Sequence, residues 1–475
     1  MVSPTSRSPS PWRQEFLPLL LLAGPLILTN LAHVALTTID IVVLGALGAR
    51  EIAAGGLALA LFNQLRTTGT GLVTGVSNLV AQANARQDHG QIRQLLVAGL
   101  FWATLSGVLF IGVLLLLERP LVWLGQDPQV ARDTVQFLAI IAPGLLPCLW
   151  FQALRHFTVG LKRPGPLLAI TLVSIVLSAG LNYGLVFGKL GLPAMGFQGV
   201  ALTSSLVFLL SLLMFLGVVL KDRQLAQYLD LKRLRCSWAT LGAVWKLGLP
   251  IAGTYASEAG FFSVLTLLIG TLGMEALAAQ TVLNQIIYIV FMFSAGVSHA
   301  ASIHISEAHG AGQYHRARQL GHMGLAVGAA LMLLFAVLYL LFAQQIVTLF
   351  ISAEQATNQQ VLSLTASGLL IAALLQFFDA AQNIGNGILR GLGDTAGPFR
   401  LSLYGYWLVG LPAAYGLGVL AANGIFGIWI GLAIGLAVTA LLLVLSFERQ
   451  IKALLAQRHP SQTQAGGMHA AKEPT

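Results

Sequence analysis

Phe16–Leu44 reads FLPLLLLAGPLILTNLAHVALTTIDIVVL, an apolar run broken near its end by a single carboxylate, Asp40. A membrane-spanning helix needs about 20 mainly apolar residues, so this run is a candidate span. A charge at the bilayer centre costs at least ~3 kcal/mol on insertion scales, and an acid kept there usually faces a cavity and carries function. Glu258 and Asp379 sit in the same setting, each flanked on both sides by long apolar runs. Three such acids predict a membrane protein that handles cations or protons.

The rest of the chain fits that class. Of its 475 residues 56% are hydrophobic and 9% charged, against about 25% charged in soluble domains. A net charge of +9 would suggest a nucleic-acid partner in a soluble protein. Here the basic residues lie in loops between apolar runs, and no nucleic-acid partner is expected. The two cysteines, Cys148 and Cys236, are too few for a disulfide framework and read as free thiols. Residues 1–14 are polar and rich in Ser and Pro, and no A-x-A-like cleavage site follows them, so the first run reads as a retained helix.

Twelve spans are predicted, at about 16–44, 55–83, 95–117, 130–156, 167–188, 197–220, 242–270, 277–308, 320–342, 358–389, 399–420 and 424–446. Lys and Arg concentrate in the N-terminus, the even-numbered connections and the C-terminal tail. Examples are Arg86, Arg93, Lys162, Arg163, Lys221, Arg223, Lys232, Arg233, Arg235, Arg316 and Arg318. The odd-numbered connections hold only Arg50, Arg119, Arg132 and Lys189. Basic loops stay inside, so both termini are expected in the cytoplasm. The domain plan is a tail at 1–14, a first six-helix lobe at 15–220 and a basic linker at 221–241. A second lobe at 242–447 and a disordered tail at 448–475 complete it.

A shift of 225 residues lays the second half under the first without a gap. Pro25 meets Pro250, Thr29 meets Thr254, and Gly45, Leu47 and Gly48 meet Gly270, Leu272 and Gly273. Ser77 meets Ser302, and Arg93-Gln94-Leu95 meets Arg318-Gln319-Leu320. Two parallel six-helix repeats are a transporter architecture with the binding site between the halves. The acids break the symmetry: Asp40 meets Leu265, and Glu258 meets His33. One scaffold is therefore expected to carry two chemically different sites.

In the first lobe Asn182 and Thr203 are candidate neighbours of Asp40, which lies ~12 Å along its helix from the turn at Gly48. A carboxylate beside amide and hydroxyl oxygens can hold a proton or a hard cation; the alternative is a hydrogen-bond cluster that glues helices together. In the second lobe Glu258 and Asp379, if they face each other, must share a proton, bind Na⁺ or bind a cationic substrate. Ion and passenger would then compete for the same carboxylates, which is a mechanism for antiport. Arg66 is taken as the only clearly intramembrane basic residue. It is either a counter-ion in the cavity or a cap for a helix break near Thr67-Thr68-Gly69. Pro25 removes a backbone hydrogen bond from the helix of Asp40, and a bend there that follows the protonation of Asp40 is the conformational reading.

Gly24-Pro25, Thr37-Thr38-Ile39-Asp40, Ser257-Glu258, Phe378-Asp379 and Arg390-Gly391-Leu392-Gly393-Asp394 resemble the multidrug and toxic compound extrusion (MATE) family, in its NorM-like bacterial branch. The resemblance covers about 15–446. It implies an all-α membrane protein with a V-shaped pair of six-helix bundles and a cation-coupled exporter. Asp40, Asn182 and Thr203 would form the first-lobe ion or proton site, and Glu258 and Asp379 the second-lobe cation site, a Na⁺ candidate. Ser178, one turn before Asn182, stands where relatives often have Asn, which thins the first-lobe ligand set.

The function expected is secondary export of amphipathic, often cationic small molecules in exchange for Na⁺ or H⁺, by a monomer in the bacterial inner membrane. Lipid is the surrounding partner and no cofactor is needed. Aromatic residues such as Phe261, Phe262, Tyr288, Phe291 and Phe293 can stack on cationic passengers. A lipid-linked precursor flippase of related architecture is the alternative, but it would want a strongly basic cavity. No H-E-x-x-H, G-x-S-x-G or P-loop is present, so no enzyme activity is expected.

Overall fold

The structure is a computed structural model that describes residues 11–123, 128–229, 236–348 and 359–458. Most of both tails, and Lys232, Arg233 and Arg235 of the basic linker, lie outside the described residues. All regular structure among the described residues is helical. The long helices are α1 (Pro11–Leu47), α2 (Ala49–Ala85), α3 (His89–Leu115), α4 (Pro128–Gly160), α5 (Leu167–Phe187) and α6 (Phe197–Lys221). They continue as α7 (Trp238–Gly270), α8 (Met274–Gly310), α9 (Tyr314–Thr348), α10 (Gln359–Gly391), α11 (Ala396–Leu420) and α12 (Gly424–Arg458). Among the described residues eleven of these are long and apolar enough to cross a membrane, which makes the chain a multi-pass membrane protein.

The helix outside that set is α2. Its middle turn, NQLRTTGT at 63–70, is polar, and its hydroxyls fold back on the helix: Thr68 Oγ1 donates to Gln64 O at 2.8 Å and Thr70 Oγ1 to Arg66 O at 2.8 Å. Two predicted spans are irregular. A 3₁₀ turn at Ala142–Gly144 interrupts α4, where Pro143 cannot donate a ladder bond. Around Pro412, α11 widens into π-helical turns at Tyr404–Gly410 and Gly416–Leu420. At the other end of the chain α12 stays helical to Arg458, so the disordered tail expected from 448 does not begin there.

The repeat survives as geometry. Ala49–Ala85 and Met274–Gly310 start and end in the same register. The turns before them are made by Gly48 (φ 147°) and Gly273 (φ 118°), where a side chain would be strained. A Cβ on Gly160 would come 2.6 Å from the Ser77 carbonyl oxygen, and a Cβ on Gly391 2.9 Å from that of Ser302. Ser77 and Ser302 are repeat mates 225 apart, while Gly160 and Gly391 are 231 apart. The same close helix approach is built twice, with six extra residues in the second half, and the repeat is not gapless beyond its third helix.

The chain forms two compact units. Leu21–Val264 is one; its core joins Leu44, Phe62, Val73, Phe137, Leu145 and Leu149. The other comprises Met1–Leu20 and Leu265–Thr475. Within it α8 and α10 are tied by a polar seam. Gln376 Nε2 donates to Ile287 O at 3.3 Å, Asn383 Nδ2 to Ser294 Oγ at 3.1 Å, and Arg390 Nε to Ser302 Oγ at 3.1 Å. Those three donors recur every seven residues, which keeps them on one helix face. Ser298 and Ser306 answer from α8, donating to Asn383 O at 2.8 Å and Gly391 O at 3.0 Å.

Candidate functional site

The acid that opened the sequence is buried on α1, with 6% of its surface exposed. Asp40 Oδ2 accepts from Ser204 Oγ at 2.7 Å, and Oδ1 from Asn182 Nδ2 at 3.3 Å. The same amide group reaches Ser178 Oγ at 3.4 Å. Helices α1, α5 and α6 thus converge on one carboxylate. Asn182 is where the sequence placed it. Thr203 is not: it is fully buried, and its hydroxyl has no partner among the described residues. Successive helix residues point ~100° apart, so with Ser204 turned to Asp40 its neighbour is turned away. The run Thr203-Ser204-Ser205 gave no signal for choosing between them.

Asp40 forms part of the wall of a cavity of about 600 Å³, open mouth included, along with His33, Phe62, Arg66, Ser204 and Phe208. A second cavity of about 390 Å³ shares His33, Leu36 and Phe208 with it and extends to Cys148 and Gln152. Phe62 and Phe208 stack with ring centroids 5.7 Å apart. They are the phenylalanines of the first cavity, and Phe151 joins Phe208 in the second. Among those named from sequence, Phe261 is fully buried and Phe293 packs edge-on against Phe335 at 4.9 Å.

Arg66 caps no helix break, because α2 runs unbroken through Thr67-Thr68-Gly69. It lines the cavity, and its Nε donates to Asn63 Oδ1 at 3.0 Å. Nor is it alone. Arg155 on α4 is buried, its guanidinium donating to Asn30 Oδ1 at 3.0 Å and to Gln152 Oε1 at 3.4 Å. Its position close to the end of a predicted span hid it in the sequence. Among the described residues neither arginine has a carboxylate within 4.0 Å, and Asp40 has no basic group within that distance.

In the other unit Asp379 is 4% exposed, within the polar seam of α10, and its Oδ1 receives no hydrogen bond from the described residues. Glu258 lies half-buried on α7, in the first unit. Pro25 lies inside a continuous α1, and its carbonyl accepts from the Thr29 hydroxyl at 2.7 Å; Pro250 and Thr254 repeat the arrangement on α7 at 3.0 Å. The Arg390–Asp394 stretch is a turn. Gly393 takes φ 89°, while Asp394 accepts from the Gly397 amide at 2.8 Å and from Gln450 Nε2 at 2.5 Å, which fixes the start of α11. Glu307 pairs with Arg316 at 3.7 Å, beside the Arg316–Glu15 pair at 2.7 Å.

Solved proteins share this fold. A eukaryotic MATE transporter superposes with a TM-score of 0.81 at 23% identity, over 94% of this chain and 100% of its own. A MATE protein solved in a bent conformation gives 0.84 at 17% identity, over 95% and 99%. At such identities the likeness shows the fold alone. The sequence goes further. The MatE family profile matches residues 25–184 and 250–416. A probable multidrug resistance protein NorM of Pseudomonas aeruginosa is 38% identical over 97% of this chain and 95% of its own length. One of the same name from Mesorhizobium japonicum is 36% identical over 92% and 95%. The chain belongs to the MatE family and is a transporter, not an enzyme.

Proposed function

We propose that this chain is a secondary multidrug antiporter that exports amphipathic, often cationic compounds in exchange for Na⁺ or H⁺. Asp40 carries the reading. It is a buried carboxylate on a cavity wall, held by the neutral groups of Ser204 and Asn182 and, among the described residues, by no basic side chain. An acid so placed can be neutralised by a travelling ion or proton and released again when the cavity changes sides. Glu258 and Asp379 are the coupling acids assigned to the second half, where Na⁺ is the candidate ion, and Pro25 is the point at which α1 bends. The names of the relatives support drug export. The excess of basic residues in even-numbered connections supports cytoplasmic termini in an inner membrane. The protein works as a monomer within lipid.

The test is dye efflux from energised vesicles under separately imposed Na⁺ and pH gradients. Export should follow at least one of them, and efflux indifferent to both sinks the antiporter reading.

A further inference from the structure

The cavity of the Leu21–Val264 unit has two electrical ends. Asp40 marks one. His33 sits seven residues earlier on α1, so the two share a helix face about 10 Å apart along the axis. Around His33 the charge reverses. Arg66 and Arg155 lie close enough for their charges to act on His33 and on each other. His33 Nε2 is buried and has no hydrogen-bond partner among the described residues. Among the described residues the arginines are held by neutral side chains, Asn63 for one, Asn30 and Gln152 for the other.

Two guanidiniums sunk in a membrane protein without a balancing acid are expensive, because burying a charge costs several kcal/mol unless an opposite charge answers it. Packing does not call for them, since leucine or methionine would fill the same space without that cost. Arg66 commits its Nε to Asn63, which aims the side chain. Its terminal nitrogens are the part of a guanidinium that grips a planar oxyanion in bidentate fashion.

We propose that Arg66, backed by Arg155 and with His33 beside it, is an oxyanion subsite. With Asp40 at the other end, the cavity then accepts molecules that carry an anionic group as well as a cationic one: zwitterionic amphiphiles, their aromatic parts against Phe62 and Phe208. The oxyanion can be the passenger's own carboxylate or the phosphate of an anionic lipid. The inference rests on the transporter reading, but it is tested by binding, without any gradient. A loss of gradient-driven efflux therefore leaves it standing.

A matched pair of dyes decides the matter: rhodamine B, which carries a carboxylate, and its ethyl ester, which does not. The full chain is purified into nanodiscs of phosphatidylcholine, and binding is read by fluorescence polarisation. The wild type should favour rhodamine B, and Arg66→Gln should shift the ratio of the two affinities by about tenfold towards the ester, the size of one charge-assisted hydrogen bond. Arg66→Lys should recover part of the preference, which a merely misfolded variant cannot do. Adding phosphatidylglycerol separates the two sources. If it displaces rhodamine B from the wild type but not from Arg66→Gln, the subsite holds a lipid phosphate. If it has no effect while the ratio shifts, the subsite holds the passenger's carboxylate. An unchanged ratio in Arg66→Gln with no lipid effect in either protein overturns the subsite.

Discussion

Asp40 and Asp379 are both almost wholly buried, yet their surroundings differ. Asp40 has a hydroxyl on one oxygen and an amide on the other, at the wall of a cavity. Asp379 is carried by α10 between the seam residues Gln376 and Asn383, and among the described residues its Oδ1 receives no hydrogen bond although those amides stand one turn away on either side. An ionised carboxylate offers about four acceptor positions. Asp40 has filled two of them from the protein, one on each oxygen. Asp379 has at least one oxygen that receives no hydrogen bond among the described residues, which is the ground for proposing it as the cation acid. The scaffold repeats, and the chemistry does not.

The largest expected effect breaks the comparison at its second member. Asp379→Asn should reduce ion-coupled efflux to the level of empty vesicles while expression and membrane insertion stay normal. Asp40→Asn should remove the response to a pH gradient and spare part of the response to Na⁺. Vesicle efflux under each gradient in turn reads both variants. Equal loss of both responses in both proteins would show that the two acids form one functional unit, and the contrast drawn here would fail.

A finer test stays with Asp40. Losing a hydrogen bond to a charged group is worth about 1.5–3 kcal/mol. Ser204→Ala should therefore change the ion concentration for half-maximal efflux by roughly tenfold or more. Thr203→Val removes the neighbouring hydroxyl, which makes no hydrogen bond to Asp40, and should change it by less than about twofold. If Thr203→Val has the larger effect, Ser204 is not the partner that sets the coupling acid.

These contrasts also show what the sequence could say. Asp40, its partner Asn182 and the register of the repeat were legible because apolar context makes an acid conspicuous and because small residues recur where helices touch. Gly391 and Gly160 illustrate the second point, each pressed against the carbonyl of a repeat-mate serine. What stayed hidden was rotation and distance. Thr203 and Ser204 differ only in the direction they face. Arg155 becomes a buried partner of α1 only when α4 brings it to Asn30, 125 positions away in the chain. Phe62 and Phe208 looked like any other apolar residues until α2 and α6 met. The glycines allow a direct check of the shared scaffold. Gly160→Ala and Gly391→Ala each force a methyl against backbone, and both should cost about 1–3 kcal/mol, seen as similar drops in thermal stability. A large drop in one alone would mean that the two contacts are not equivalent.

The smallest expected effect concerns the two helices that carry a proline. Pro25 and Pro250 each leave one backbone acceptor without its amide, and each passes its own carbonyl to a threonine hydroxyl one turn on, an arrangement that loosens the local ladder. On α1 the loosened turn lies between the cytoplasmic end expected from the basic residues and Asp40. A bend at Pro25 that changes which side Asp40 sees is the reading this variant pair tests. Pro25→Ala should slow coupled efflux severalfold and flatten its dependence on pH, with dye binding retained. Pro250→Ala, on a helix whose repeat position for Asp40 is Leu265, should leave the pH dependence as it is. Unchanged transport and pH response in Pro25→Ala would make the proline a fixed feature of the helix, and the acids would then have to change sides by motion elsewhere.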